Sequence, residues 1–165
     1  MSHSNNQEIY SLAKQLGLLL LERGAKVSTA ESCTGGGIAE AITAVSGSSQ
    51  WFEYGYITYA DSAKQQLLNV AAETLKNCGA VSEQVVREMA TGALAASKAD
   101  YAIAVSGIAG PDGGTGEKPV GTIWICWQGP VEASAKKFLL EGDRYAIREQ
   151  AVKISLQELL HQLLG

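Results

Sequence analysis

Histidine is almost missing from this chain: there are two in 165 residues, His3 and His161, each close to a terminus. A hydrolase with an imidazole base needs that ring on a loop beside its nucleophile, so these positions argue against a Ser/His/Asp triad. Cysteine is scarce and unpaired in pattern. Cys33, Cys78 and Cys126 are odd in number and widely spaced, with no CxxC, which excludes a disulfide framework or a zinc knuckle. No apolar run approaches the length of a membrane span. The longest aliphatic cluster, Leu18 to Leu21, is followed at once by Glu22 and Arg23. The first residues, Met1-Ser2-His3-Ser4-Asn5-Asn6, lack the basic start and apolar stretch of a signal peptide. The expectation is a cytoplasmic protein with no membrane partner. Net charge is −4 with acids and bases interspersed, so no basic stripe awaits a nucleic acid. An anionic ligand would have to be held by a few local cations, and the arginines are four, at positions 23, 87, 144 and 148.

What is present is glycine and an apolar fraction typical of a globular protein, 46% hydrophobic against 18% charged. The length fits one domain, residues 1–165, large enough for a core without disulfides or metal. The organising stretch is Thr29-Ala30-Glu31-Ser32-Cys33-Thr34-Gly35-Gly36-Gly37. A β-prone run enters it and a helical pattern (Ile38, Ala41, Ile42, Val45) leaves it, so it reads as strand, tight turn and helix start. Free N–H groups at such a start attract anions, whether a phosphate or the oxyanion of acyl transfer.

The rest of the chain punctuates itself. Ile9, Leu12, Ala13, Leu16, Leu19 and Leu20 recur at helical spacing from Glu8 to Glu22, and Gly24 stops that helix. Lys26 to Ala30 is the first strand, and aromatic, β-branched Trp51 to Tyr59 is the second. Asp61 is the expected N-cap of a short helix with Lys64 in its first turn. Another short helix follows over Glu73 to Asn77. Ser82 then caps a longer one with Val86, Met89, Ala90, Ala93, Leu94 and Ser97 on one stripe. Tyr101 to Val105 and Thr122 to Trp127 suit strands covered on both faces. Between them lies a glycine-rich loop beginning at Ser106-Gly107, either a hairpin connection or a substrate-covering flap. Ala133 to Leu140 reads as an edge strand, and a final helix runs from about Asp143. The order α-β-α-β-α-α-α-β-β-β-α implies a three-layer α/β/α sandwich with a mixed β-sheet.

With histidine set aside, the remaining bases are Lys64, Tyr59 and Glu31. A first-turn lysine faces the positive end of a helix macrodipole, and burial adds to that field in disfavouring the ammonium form. Lowering a lysine from roughly 10.4 to about 7.5 needs ~4 kcal/mol, within the range of buried amines. A Ser32/Lys64 dyad is therefore physically open. So are plainer roles: Ser32 or Thr34 as a helix cap, Lys64 as a solvated surface lysine, and Tyr59 as a half-buried aromatic. Cys33 reads as a small core residue or a rival nucleophile. Glu31 can serve only to orient the turn, and Arg144 and Arg148 only to pair with acids on an exposed helix face.

The segments Thr29 to Gly36, Gly47-Ser48-Ser49 with Trp51-Phe52, Tyr59 to Lys64, Gly79 to Ser82, Ser106 to Gly114, Lys118 to Thr122, and Gly142-Asp143-Arg144 with Arg148 together resemble the CinA carboxy-terminal domain family. Its stand-alone bacterial members act as nicotinamide-nucleotide amidases (the PncC type). The family's other, amino-terminal domain has no counterpart in the resemblance. The resemblance implies hydrolysis of nicotinamide mononucleotide to nicotinic acid mononucleotide and ammonia, with Ser32 as nucleophile and Lys64 as base. Tyr59 would hydrogen-bond within the dyad, and neither metal nor other cofactor is implied. On this reading Cys33, Thr34, Gly35 and Gly36 supply oxyanion donors, while Arg144 or Arg148, with Ser106 and Gly107, holds the phosphate. The partner is then a small-molecule substrate, and an aromatic strand at Trp51 to Tyr56 makes a homodimer the expected state. The competing readings are a non-catalytic nucleotide-binding module and a competence- or damage-related interaction module.

Overall fold

The computed structural model describes residues 3–165; Met1 and Ser2, part of the N-terminal stretch read above for a targeting signal, lie outside the described residues. The elements run α1 (His3–Glu22), β1 (Val27–Glu31), α2 (Gly37–Thr43), a 3-10 turn (Ser48–Gln50), β2 (Phe52–Ile57), α3 (Asp61–Leu68), α4 (Ala72–Cys78), α5 (Glu83–Ser97), β3 (Tyr101–Gly107), β4 (Thr122–Gln128), β5 (Ala133–Leu139) and α6 (Arg144–Leu164). The order is the one expected. Most boundaries shift by one or two residues; beyond that, α1 starts five residues before Glu8, and β2 omits Trp51, which packs inward instead. A Cβ on Gly17 would stand 2.4 Å from the Trp51 ring, so glycine in mid-helix is what admits that indole.

The five strands form one sheet in the order β2-β1-β3-β4-β5. β1 is parallel to both β2 and β3, while β4 and β5 are antiparallel to their neighbours, giving the mixed sheet. Side chains alternate along β3. Ile103 and Val105 join the core under α1, α2 and α6, whereas Ala102 and Ala104 join the core under α3, α4 and α5. Alanines on the second face let α5 lie close to the sheet with Val86, Met89, Ala90 and Ala93. These are the three layers.

Connectivity decides where a ligand can go. From β1 the chain crosses to β2 on one side, then returns over the opposite face through α3, α4 and α5 to β3 on the other side of β1. Where strand order reverses in this way, the loops after the two strands diverge and leave a crevice at their carboxyl ends. Ser32 follows β1 at that crevice, and Ser106 and Gly107 end β3.

Candidate active site

The turn after β1 is held by its own carboxylate. Glu31 is fully buried, and its Oε1 accepts from the Thr34 hydroxyl at 2.6 Å and the Ile38 amide at 2.8 Å, while Oε2 accepts from the Ala39 amide at 3.0 Å. The start of α2 is thus satisfied internally, and the anion-attracting amides expected there are spent. Neither Ser32 nor Thr34 caps this helix. The N-cap is Gly36 at φ 99°, a left-handed conformation that favours glycine. The Gly35 amide is also spent, donating to the Ser32 carbonyl at 3.0 Å. The amides of Cys33, Thr34 and Gly36 donate to no backbone carbonyl among the described residues.

Lys64 reaches this turn from α3. Its position depends on close packing of α3 on α5: a Cβ at Gly92 would stand 1.9 Å from the Leu68 carbonyl, so only glycine permits that approach. The cap of α3 is Ala60, with no side-chain bond; Asp61, the expected cap, is instead its first residue. Lys64 is buried almost completely. Its Nζ lies 3.0 Å from Ser32 Oγ, 2.8 Å from the Thr58 carbonyl and 3.1 Å from the Tyr59 carbonyl. Burial pushes its pKa below the ordinary lysine value, opposed by the Asp61 carboxylate and the Cys33 thiol.

Two carbonyls and one hydroxyl around an amine have a definite consequence. A neutral amine has two N–H donors and one lone pair. If the carbonyls take the donors, the lone pair is left to face the Ser32 hydroxyl. The main chain therefore orients the amine.

The cavity in front of this pair is about 220 Å³, lined by Ser32, Cys33, Tyr59, Lys64, Ala80, Val81, Ser106, Gly107, Ala109 and Arg144. The expected Tyr59 bond within the dyad is made by its carbonyl. Tyr59 is 62% exposed, and its phenol accepts from Arg144 Nη2 at 3.2 Å. Arg144 Nη1 also donates to the Gly110 carbonyl at 2.8 Å, tying α6 to the glycine-rich loop. Arg148 does not line the cavity, and neither do Thr34, Gly35 and Gly36. Its Nε donates to the Cys33 carbonyl at 3.0 Å and its Nη2 to the Thr34 carbonyl at 3.2 Å, so it braces the turn from behind. Cys33 is buried, and burial is the main cause pushing its thiol up to about 12; at neutral pH it is a thiol, a poor nucleophile.

The Thr58 carbonyl escaped the sequence reading, because a main-chain acceptor leaves no trace in residue identity. Ala80 and Val81 stand in the Gly79 to Ser82 segment noted above but carry no polar group to mark them.

A family model described as the CinA C-terminal domain matches residues 9–163. The nicotinamide-nucleotide amidohydrolase PncC of Escherichia coli (strain K12) is 52% identical over 160 residues, covering 96% of this chain and 97% of that protein. The protein of the same name from Pseudomonas putida is 51% identical over 152 residues, 92% of this chain and 95% of that one. The crystal structure of competence damage-inducible protein A (ComA) from Klebsiella pneumoniae superposes with a TM-score of 0.92 at 39% identity, covering 95% of this chain and 98% of that one.

Proposed function

The chain belongs to the CinA C-terminal domain family, and on that premise we propose that it is a nicotinamide-nucleotide amidase, a single amidohydrolase domain that converts nicotinamide mononucleotide to nicotinic acid mononucleotide and ammonia in pyridine nucleotide salvage. The names of its relatives support the reaction class. The observation that carries the mechanism is the 3.0 Å approach of Lys64 Nζ to Ser32 Oγ with the other two Nζ contacts occupied by main-chain carbonyls.

Ser32 Oγ attacks the carboxamide carbon while its proton passes to the Lys64 lone pair. The carbonyl π electrons move to oxygen, and the free amide of Cys33, which follows the nucleophile and lines the cavity, is the donor for that charge. Collapse breaks the C–N bond as Lys64 returns the proton to the departing nitrogen, releasing ammonia and leaving an acyl ester on Ser32. Water then attacks the ester carbon, giving its proton to Lys64, which hands it back to Ser32 Oγ as the carboxylic acid leaves. Arg144, at the cavity rim, is the cation placed for the 5'-phosphate. Arg148 is withdrawn from that role by its bonds to the turn.

The cavity suits the carboxamide ring, with the ribose phosphate extending past Tyr59 and Arg144. The cytoplasmic setting and the homodimer belong to the same proposal. The dimer is supported by β2, a sheet edge with Tyr54 and Ile57 exposed and the Tyr54 and Tyr56 rings stacked at 6.5 Å. Among the described residues no helix is long and apolar enough to cross a membrane.

The test is ammonia release from nicotinamide mononucleotide in chelator-treated buffer, wild type against Ser32→Ala. Release by the wild type alone is expected. Nucleotide binding with no release by either protein would make the turn an anion cradle and overturn the amidase reading.

A further inference from the structure

Behind the turn lies a second and larger cavity, about 510 Å³, between α1, α2 and α6. That volume is in the range of small-molecule sites. Its floor is apolar, from Ile9 and Val152. Around the floor stand two half-exposed phenols, Tyr10 and Tyr145, and two carboxylates, Glu40 and Glu149, against one guanidinium, Arg148. None of these three charged side chains belongs to any of the four ion pairs among the described residues. One oxygen of Glu149, Oε1, is buried with no hydrogen-bond donor. Desolvation first, then the Glu149 and Glu40 carboxylates, raise the Tyr145 phenol above its ordinary pKa, opposed by the Arg148 guanidinium.

The chemistry of such a wall is selective. Excess negative charge, a carboxylate short of a donor, and aromatic faces over an apolar floor recognise a positively charged group on a flat or apolar body. They repel an anion of the same shape. The wall also includes Thr34, and Arg148 is bonded to the Cys33 and Thr34 carbonyls, so the occupant would touch the brace of the Ser32 turn.

We propose that the cavity between α1, α2 and α6 is a second ligand site, taking a small organic cation through Glu149 and Glu40, and that its occupancy is transmitted to Ser32 through Arg148. Binding stands independently of the amidase reading; the effect on turnover rests on it.

The probes are benzamidine, a flat aryl cation, and benzoate, its anionic counterpart of similar shape, each titrated calorimetrically into the full chain. Benzamidine binds saturably and benzoate does not. Glu149→Gln and Glu40→Gln each weaken benzamidine by about tenfold or more, the loss of one charge-assisted contact. Ser32→Ala leaves the affinity unchanged. Equal binding of benzoate, full affinity in both glutamine variants with unaltered thermal unfolding, or loss of binding in Ser32→Ala each overturns the site. With nicotinamide mononucleotide as substrate, saturating benzamidine changes kcat by about fivefold while KM holds; an unchanged kcat overturns the transmission. Should the wild type release no ammonia yet bind benzamidine in a Glu149-dependent way, the amidase reading fails and the site stands.

Discussion

Glu31 and Lys64 flank Ser32, and both are buried ionisable side chains. Their surroundings differ in one respect. Glu31 accepts three hydrogen bonds from groups whose only task is to hold the turn and start α2. Lys64 has two contacts of that fixed kind, to carbonyls, and a third to a hydroxyl that can give up its proton. A buried charge with every partner fixed rigidifies its surroundings. A buried amine with one exchangeable partner and a depressed pKa is poised for proton transfer. The same burial that fixes one side chain in a closed network leaves the other with a lowered pKa and one exchangeable partner.

The largest effect expected from breaking this comparison is on the lysine side. Lys64→Met keeps the buried stem and removes the lone pair, so kcat for ammonia release falls by about 10²- to 10⁴-fold while the variant stays folded. Near-normal kcat would put Lys64 in the same structural class as Glu31. On the other side, Glu31→Ala strands two amides and a hydroxyl, and urea unfolding should show a loss of about 3 kcal/mol or more. A loss under about 1 kcal/mol would mean that water replaces the carboxylate.

Smaller effects sharpen the contrast. Arg144→Ala should raise KM for the nucleotide about tenfold with kcat little changed, the signature of a lost phosphate contact; an unchanged KM moves the phosphate elsewhere. The pH profile carries its own sign. Burial lowers the pKa of Lys64 from the ordinary 10.5, so kcat rises with pH along a limb below that value as the amine loses its proton. Asp61 opposes that shift, so Asp61→Asn should move the limb to lower pH, by about one unit or less. A limb moving upward would remove Lys64 as its source. Smallest of all, Cys33→Ala should keep kcat within about threefold, since the thiol is protonated at neutral pH. Total loss would restore it as a rival nucleophile.

The two sides were unequally legible. The element order was readable because each helix and strand carries its own period, and caps such as Ser82 act within three residues: its Oγ accepts from the Val85 amide at 3.3 Å. Ser32 stood out through its glycine-rich turn, and Lys64 through helix position and the absence of histidine. Asp61 was misread because an aspartate before an apolar stripe suits both the N-cap and the first turn, where it also meets the dipole favourably. Tyr59 was expected to hydrogen-bond within the dyad without the group being specified; the contact is made by its carbonyl. The two arginines could not be told apart, since both lie on one helix a single turn apart.

By itself the sequence determined the list of elements, the glycine turn bearing Ser32, and the case against an imidazole triad, because these follow from local periodicity and composition. Only the tertiary structure decided that Lys64 meets Ser32 across 32 positions and that Arg148 meets Thr34 across 114. It also decided that Glu31 uses up the amides at the start of α2. The physical reason is that such pairings depend on strand order and on which helices the sheet brings to one edge. That is settled by burying two apolar faces at once, not by any stretch of neighbouring residues.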